Sequence, residues 1–177
     1  MFMGLVGSEM CIRDSSYIQN LLTIQKHIKN KSMNYTTFIE NDKKTNFKNS
    51  YFSELLKDTS NNIVKNTYKF DNNLILTGPN AAGKTTILKS TLFNILLSQQ
   101  IGCGFFDKAE SKIYDYLHCY INIPDTSGRD SLFQAEARRC KEILNIIRDN
   151  DDKNHFCVFD ELYLSLIHIS EPTRPMN

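Results

Sequence analysis

A phosphate-binding loop pattern occupies Gly78 to Thr85, with the sequence Gly-Pro-Asn-Ala-Ala-Gly-Lys-Thr. Glycines at both ends let backbone N–H groups curl around an anion, while Lys84 can reach β- and γ-phosphate oxygens. The hydroxyl of Thr85 is the group that such loops offer to Mg²⁺. A glycine-rich turn with an unrelated lysine is the alternative. The predicted site comprises Gly78, Pro79, Asn80, Ala81, Ala82, Gly83, Lys84, Thr85 and Thr86.

Two acids, Asp160 and Glu161, follow the apolar run Phe156–Phe159. Such a run indicates a buried strand, and ligands bind at the carboxyl ends of parallel strands. In phosphate-loop ATPases the first acid holds Mg²⁺, and the second can activate the attacking water as a general base. Alone, the run and its acids would indicate only a solvated strand end. Together with the upstream loop, they predict that Asp160 binds metal and that Glu161 and Lys84 are catalytic.

Ser131 is a third candidate site residue, because it precedes an amphipathic helical pattern that extends to Arg148. A serine at a helix N-terminus, with free backbone N–H groups beside it, can bind an anion. An ordinary N-cap is the better interpretation from these residues alone.

The segments that must position these side chains alternate between strand and helix patterns. Leu74–Thr77 predicts a short buried strand before the loop, and Thr86–Leu97 predicts a helix whose N-terminus faces the anion. This alternation predicts an α/β fold with a largely parallel core sheet. The further predicted elements are a helix within Ser16–Lys31, a core strand in Ile101–Phe106, one or two strands in Ile113–Ile123, a helix over Ser131–Arg148 and a strand at Phe156–Phe159.

Composition limits the classes of protein to consider. The chain has 177 residues, 41% of them hydrophobic, which is enough for a packed core. A formal net charge of +1 argues against a protein that wraps nucleic acid by electrostatics alone. The five cysteines lack metal-ligand spacing, and the apolar runs are too short to span a membrane. Scattered cysteines of this kind are typical of core residues in a reducing compartment, so we expect an intracellular protein, nuclear or cytoplasmic.

The two ends of the chain differ from the rest. Gly7–Ser15 and Leu164–Pro175 resemble translated sequencing-adaptor read-through, although native ends of low information content are the alternative. We expect residues 1–15 and 164–177 to be artefactual, and residues 51–163 to form the nucleotide-binding domain. Residues 16–50 would be a helix and a polar linker, with Asn41–Asn49 as its loop.

The motifs together resemble the ATPase domain of the MutS family of DNA mismatch-repair proteins. Thr77–Thr86 is similar to that family's T-G-P-N-x-x-G-K-S-T loop, including a Pro-Asn pair that most other phosphate loops lack. Ser131–Glu136 matches its S-T-F-M-x-E segment in register, and Phe156–Glu161 matches its acidic strand. The resemblance extends over Tyr51–Glu161. It implies an ABC-type phosphate-loop ATPase core, with a mostly parallel sheet that is truncated after the acidic strand.

Membership of this family would imply ATP and Mg²⁺ as ligands, and a partner subunit in a homo- or heterodimer. Asn80 would contact the γ-phosphate or the attacking water, and Ser131 would reach the γ-phosphate bound by the other subunit. The intact protein would bind mismatched or branched double-stranded DNA through domains outside this chain, in mismatch repair or recombination. The departures are Ala81-Ala82 for Met-Gly, Leu132 for Thr, an additional Asp130, and Ile63 at a common aromatic position.

Three alternatives remain open at this point. Another ABC-type ATPase would carry a Leu-Ser-Gly-Gly-type signature before the acidic strand, and this chain has none. A non-hydrolysing DNA-binding or scaffold relative would keep the loop for switching only, and the presence of Glu161 argues against it. In the third alternative the chain, as a fragment, binds ATP weakly or not at all and has no biological function by itself.

Overall fold

A computed structural model of the chain describes residues 3–57, 63–121 and 132–162. Its helices and strands confirm the predicted α/β class. The elements are α1 (Met3–Lys29), β1 (Asn34–Phe38), β2 (Asn46–Ser50), a 3₁₀ helix (Ser53–Lys57), β3 (Asn66–Lys69), α2 (Lys84–Ile101), β4 (Cys103–Gly104), β5 (Lys108–Ser111), β6 (Tyr116–Tyr120), α3 (Leu132–Asp149) and β7 (His155–Phe159).

The chain divides into two compact units, each formed from two segments. The first unit consists of Met1–Ile75 and Phe93–Lys112, and the second of Leu76–Leu92 and Ile113–Asn177. The first therefore contains β1 to β5, and the second contains the phosphate-loop pattern, β6, α3 and β7.

The first unit holds a five-stranded mixed sheet in the order β3-β2-β5-β1-β4. Only β1 and β5 pair in parallel, and the other three neighbouring pairs are antiparallel. The prediction of a largely parallel sheet is therefore wrong for this unit. It was inferred from alternating strands and helices, whereas β1, β2 and β3 follow one another without a long crossover helix. Antiparallel neighbours need only a short connection.

The core of the first unit is aromatic, with one polar centre. Phe47 on β2 and Phe106 are each 1% exposed or less, and their ring centroids lie 5.7 Å apart. Asn94 on α2 is equally buried, and its amide nitrogen donates to Ser50 Oγ at 3.0 Å. The backbone N–H of Phe105 donates to Asn94 Oδ1 at 2.7 Å. These bonds satisfy a buried amide that would otherwise be destabilising.

The segment Asn41–Asn49, predicted to be a loop, forms strand β2 from Asn46 onward. Its polar composition obscures an alternating pattern in which Phe47 points into the core. Thr45, immediately before the strand, is also buried, and its Oγ1 accepts a hydrogen bond from the N–H of Lys112 at 3.1 Å.

The second unit contains a strand–helix–strand segment. β6 and β7 pair in parallel from Tyr116 opposite His155 to Tyr120 opposite Phe159, and α3 lies between them in the sequence. A helix is the usual crossover between parallel strands, so this part of the prediction is confirmed. On α3, Ile143 and Glu136 are buried, seven residues apart on one helical face.

The segment Leu74–Thr77 is not a strand, which corrects the sequence prediction. The side chains of Leu74 and Ile75 are 49% and 84% exposed. A strand needs a neighbour to receive its backbone hydrogen bonds. Among the described strands, β6 and β7 pair with each other and none pairs with Leu74–Thr77. Apolar composition alone therefore does not place this segment in a sheet.

The other predicted elements agree with the structure apart from their ends. Ser16–Lys31 is helical as the C-terminal part of α1, which ends at Lys29, and Thr86–Leu97 lies inside α2. In the predicted strand Ile101–Phe106 only Cys103 and Gly104 are extended, because α2 continues to Ile101. Gly102, with a φ of 73°, ends α2 in the left-handed conformation, and its N–H donates to Ser98 O at 2.9 Å.

None of the helices in the described parts of the chain is long and apolar enough to cross a membrane.

Candidate nucleotide-binding site

The phosphate-loop pattern forms a curved turn with alternating backbone conformations. Ala81 and Gly83 have φ angles of 62° and 86°, and the N–H of Ala82 donates to Pro79 O at 3.3 Å. Left-handed residues placed between right-handed ones turn successive N–H groups toward one side, which makes a concave anion site. The φ angles of Ala81 and Gly83 are compatible with such a concave anion site.

The loop leads directly into the N-terminus of α2. The N–H of Ile87 donates to Gly83 O at 3.0 Å, which makes Gly83 the N-cap residue. The N–H groups of the first helical turn, at Lys84, Thr85 and Thr86, have no acceptor in the helix itself. The partial positive charge at this end of the helix favours an anion.

Lys84 folds back over the loop. Its Nζ donates to Gly78 O at 2.8 Å and to Pro79 O at 2.9 Å. These two carbonyls hold the ammonium group against the loop backbone, and a phosphate oxygen could replace either carbonyl as acceptor. The placement fits the predicted role of Lys84 as a phosphate ligand.

Thr85 and Asp160 meet although they lie 75 residues apart in the sequence. Thr85 Oγ1 donates to Asp160 Oδ2 at 2.7 Å. Asp160 is fixed by its own backbone, because its N–H donates to Tyr120 O at 2.8 Å and so extends the β6–β7 pairing past Phe159. The hydroxyl of the loop and the acid at the strand end therefore share one location.

These two side chains could supply oxygen ligands to a magnesium ion. Mg²⁺ takes oxygen ligands, keeps several waters, and is usually held by one or two carboxylates together with substrate phosphates. Asp160 supplies a carboxylate and Thr85 a hydroxyl oxygen within 2.7 Å of it. Within the described ranges no cluster of three or more His, Cys, Asp or Glu side chains could form an all-protein metal site.

Glu161 follows Asp160 and has an exposed side chain. Its φ of 48° lies in the left-handed region, which costs a residue with a Cβ about 1–2 kcal/mol. This conformation turns the chain sharply at the end of β7. Asp160 and Glu161 are therefore not two successive positions of one straight strand.

Asn80 and Ala81 are exposed on the loop, and Thr86 is half-buried in the first turn of α2. Ser131 lies outside the described residues. Sequence reasoning missed the backbone of Tyr120, which positions Asp160, and the left-handed conformation of Ala81. Neither carries a sequence signal, because a carbonyl is common to all residues and alanine rarely adopts positive φ.

No protein-family model matches the chain. It is 33% identical over 119 residues to "Endonuclease MutS2" of Staphylococcus haemolyticus, which is 64% of this chain and 14% of that protein. It is 29% identical over 103 residues to "Endonuclease MutS2" of Lactococcus lactis, covering 56% of this chain and 13% of the relative. Over 155 residues it is 26% identical to "DNA mismatch repair protein MSH3" of Debaryomyces hansenii, covering 85% of this chain and 12% of that protein. The chain thus spans about an eighth of each relative, and the similarity supports a relationship to the MutS family.

Proposed function

We propose that this chain is the ATP-binding and ATP-hydrolysing part of a MutS-like protein that acts on DNA in mismatch repair or recombination. The hydrogen bond between Thr85 and Asp160 is the observation that carries the proposal. It joins the hydroxyl of a phosphate loop to the acid of a distant strand, which is the pairing that a Mg²⁺-nucleotide site needs. The relatives named as mismatch-repair and MutS2 proteins supply the connection to DNA.

Each residue would have a separate task at this site. The loop N–H groups and the ammonium of Lys84 would bind and orient the β- and γ-phosphates. Asp160 and Thr85 would hold Mg²⁺, which when bound neutralises phosphate charge. Glu161 would accept a proton from the attacking water, and Asn80 would orient that water or the γ-phosphate.

The proposal extends to a partner subunit and to DNA. Ser131, which precedes Leu132 in the sequence, would reach the nucleotide held by a second subunit of a homo- or heterodimer. Mismatched or branched double-stranded DNA would be bound by other parts of the intact protein, which would work inside the cell, in nucleus or cytoplasm.

Nucleotide binding is tested on the full 177-residue chain by calorimetric titration with Mg²⁺-ATP. Lys84→Ala should weaken binding about 10- to 100-fold, because it removes a charge-assisted hydrogen bond to phosphate. Lys89→Ala, which removes the same charge from the same helix outside the loop, should leave affinity unchanged. Equal affinity in wild type and Lys84→Ala would reject the site.

Hydrolysis is tested separately, by phosphate release with ATP in excess. Glu161→Gln should keep ATP affinity and lower turnover about 10²- to 10⁴-fold, the usual contribution of a general base. Glu142→Gln on the exposed side of α3 is the matched control. Wild-type turnover in Glu161→Gln would remove the base assignment but leave the binding site, and would favour a relative that uses ATP for switching only.

A further inference from the structure

Two histidines face each other on the neighbouring strands β6 and β7. His118 on β6 is 5% exposed, and His155 begins β7. His118 Nε2 lies 3.0 Å from His155 Nδ1, within hydrogen-bond distance. The ring of Tyr116 stacks on His155 at 4.9 Å between centroids and with planes 10° apart. The two imidazoles therefore contact each other edge to edge, and the ring of Tyr116 stacks on one of them.

The position of one hydrogen follows from the chemistry of the acceptors. His155 Nε2 lies 2.8 Å from the backbone carbonyl of Asn150, which can only accept. His155 Nε2 must therefore carry the hydrogen. In the neutral pair His155 Nδ1 is then bare and accepts a hydrogen bond from His118 Nε2–H.

A first added proton keeps both hydrogen bonds. His118 can take a proton at Nδ1 and pass its Nε2 hydrogen to His155 Nδ1. His155 then donates to Asn150 and to His118, and the positive charge rests on His155. Asn150 directly follows the last residue of α3, and the C-terminus of a helix favours a cation.

A second proton cannot be accommodated in the same arrangement. Both His118 Nε2 and His155 Nδ1 would then carry hydrogens and oppose each other across 3.0 Å. Burial, the charge of His155 and the charge of Arg139 on α3 all keep the pKa of His118 below its usual value. The hydroxyl of Tyr116 donates to the side-chain carbonyl of Asn150 at 3.0 Å and offers His118 no anion.

Three further titratable groups lie close to the pair: Asp115, whose carboxylate accepts a hydrogen bond from the N–H of Asn154 at 2.9 Å, Asp152 and Cys157. Asp152, in the turn between α3 and β7, interacts electrostatically with His155, but it is paired with Lys153 at 2.9 Å. Cys157 lies opposite His118 in the β6–β7 register, and burial raises its thiol pKa, so it stays neutral.

We propose that His118 and His155 form a one-proton switch, which accepts a single proton within the fold and a second only by separating β6 from the start of β7 and the end of α3. An imidazole in an unfolded chain protonates near pH 6.5. The unfolded chain would therefore bind one more proton than the folded chain below that pH. The ratio of folded to unfolded protein should fall about tenfold per pH unit in this range.

NMR of the full chain with labelled histidines, titrated from pH 8 to pH 4.5, tests the proton count. The Cε1–H signals of His118 and His155 should shift together in one step worth one proton, as expected for coupled sites. Uptake of the second proton should coincide with loss of the folded signals. His27, whose ring Nδ1 faces Ser32 Oγ at 2.9 Å and no imidazole, provides an independent reference. Two separate titrations in the intact fold, or none, would overturn the proposal.

Variants test the consequence for stability. His118→Gln keeps a hydrogen-bonding amide but cannot be protonated. The fall of about tenfold per pH unit in the ratio of folded to unfolded protein, expected for the wild type below pH 6.5, should therefore be absent in this variant. His27→Gln should retain the wild-type dependence. An unchanged pH dependence in His118→Gln would contradict the switch, and a variant that fails to fold leaves the decision to the wild-type titration.

Discussion

The two units of the chain differ in what they bury. The first unit, Met1–Ile75 with Phe93–Lys112, encloses aromatic rings and a hydrogen-bonded asparagine, and its sheet is mixed. The second unit, Leu76–Leu92 with Ile113–Asn177, buries a histidine and a glutamate among few apolar side chains in its described part. All the described candidate site residues belong to the second unit.

This difference separates packing from chemistry. In the first unit a substitution is expected to act through lost volume or overlap, because its interior is filled with large rings. In the second unit the notable groups are charged, hydrogen-bonded or in left-handed backbone, so substitutions should act through protonation, lost hydrogen bonds and backbone strain.

Phe106→Ala should have the largest effect on stability. The ring is 0% exposed and packs on Phe47, and removing a buried phenyl costs about 3–5 kcal/mol. Hydrogen exchange should rise in β1, β2 and β5 of the first unit and remain near wild type in β6 and β7. An equal rise in both units would show that they unfold together and would break the comparison.

Gly104→Ala should destabilise the same core by about 1–3 kcal/mol through overpacking. A Cβ at this position would lie 2.6 Å from the Phe106 ring and 2.9 Å from Asn94 Oδ1. Gly78→Ala is the control from the second unit, because its Cβ would lie 3.8 Å from that of Ala82, an ordinary contact. Chemical denaturation measures both, and equal midpoints would contradict the steric explanation.

Ala81→Gly should stabilise the loop by about 1 kcal/mol or less. It removes the penalty of a positive φ, 62° here, and this gain exceeds the extra chain entropy of glycine. Gly83→Ala makes the opposite change at a φ of 86° and should destabilise, although no atom lies within 4 Å of the added Cβ. Thermal melts distinguish the pair, and a loss of stability in Ala81→Gly would refute backbone strain there.

Acid should affect the two units in different pH ranges. A hydrogen bond from Asn49, followed by one from Lys65, holds the pKa of Asp107 in the first unit below its usual value. The stability that Asp107 contributes is present above about pH 3.9 and is lost as the pH falls below that value. In the second unit, by contrast, His118 has a lowered pKa and loses its contribution already below about pH 6.5.

Hydrogen exchange followed from pH 7 to pH 3 measures this difference unit by unit. Asp107→Asn should flatten the lower part of the profile in the first unit only. The Asp107 effect should be small because this carboxyl group is 43% exposed on the surface. If hydrogen exchange rose in the first unit at a higher pH than in the second, the pH ranges given for the two units would be wrong.

The second unit was more predictable from the sequence than the first. The helix after the loop, the strand–helix–strand segment from β6 to β7 and the acids at the end of β7 have strong local patterns. The strands of the first unit do not: Asn46–Ser50 contains one apolar residue, Phe47, and Asn66–Lys69 contains only Tyr68. Their pairing depends on partners distant in the sequence, such as Asn46 opposite Glu110, which no local pattern indicates.

Within the candidate site, residue types were predictable and backbone conformation was not. The types at Thr85 and Asp160 suggested a shared ion, and the structure brings the two side chains together. The strand expected at Leu74–Thr77 failed because apolar composition does not supply a pairing partner. Positive φ at Ala81 and Glu161 was invisible because both residue types normally avoid it.

The left-handed backbone at Glu161 also has an evolutionary consequence. Glycine at this position would relieve strain and give a more stable protein, so the acid opposes the optimum for folding. Proteins keep such positions where activity outweighs stability. Random libraries selected for heat resistance alone should therefore enrich Glu161→Gly, whereas the proposed role of Glu161 as general base predicts that libraries selected for ATP turnover retain the acid. The two selections would separate thermal fitness from catalytic fitness at one residue.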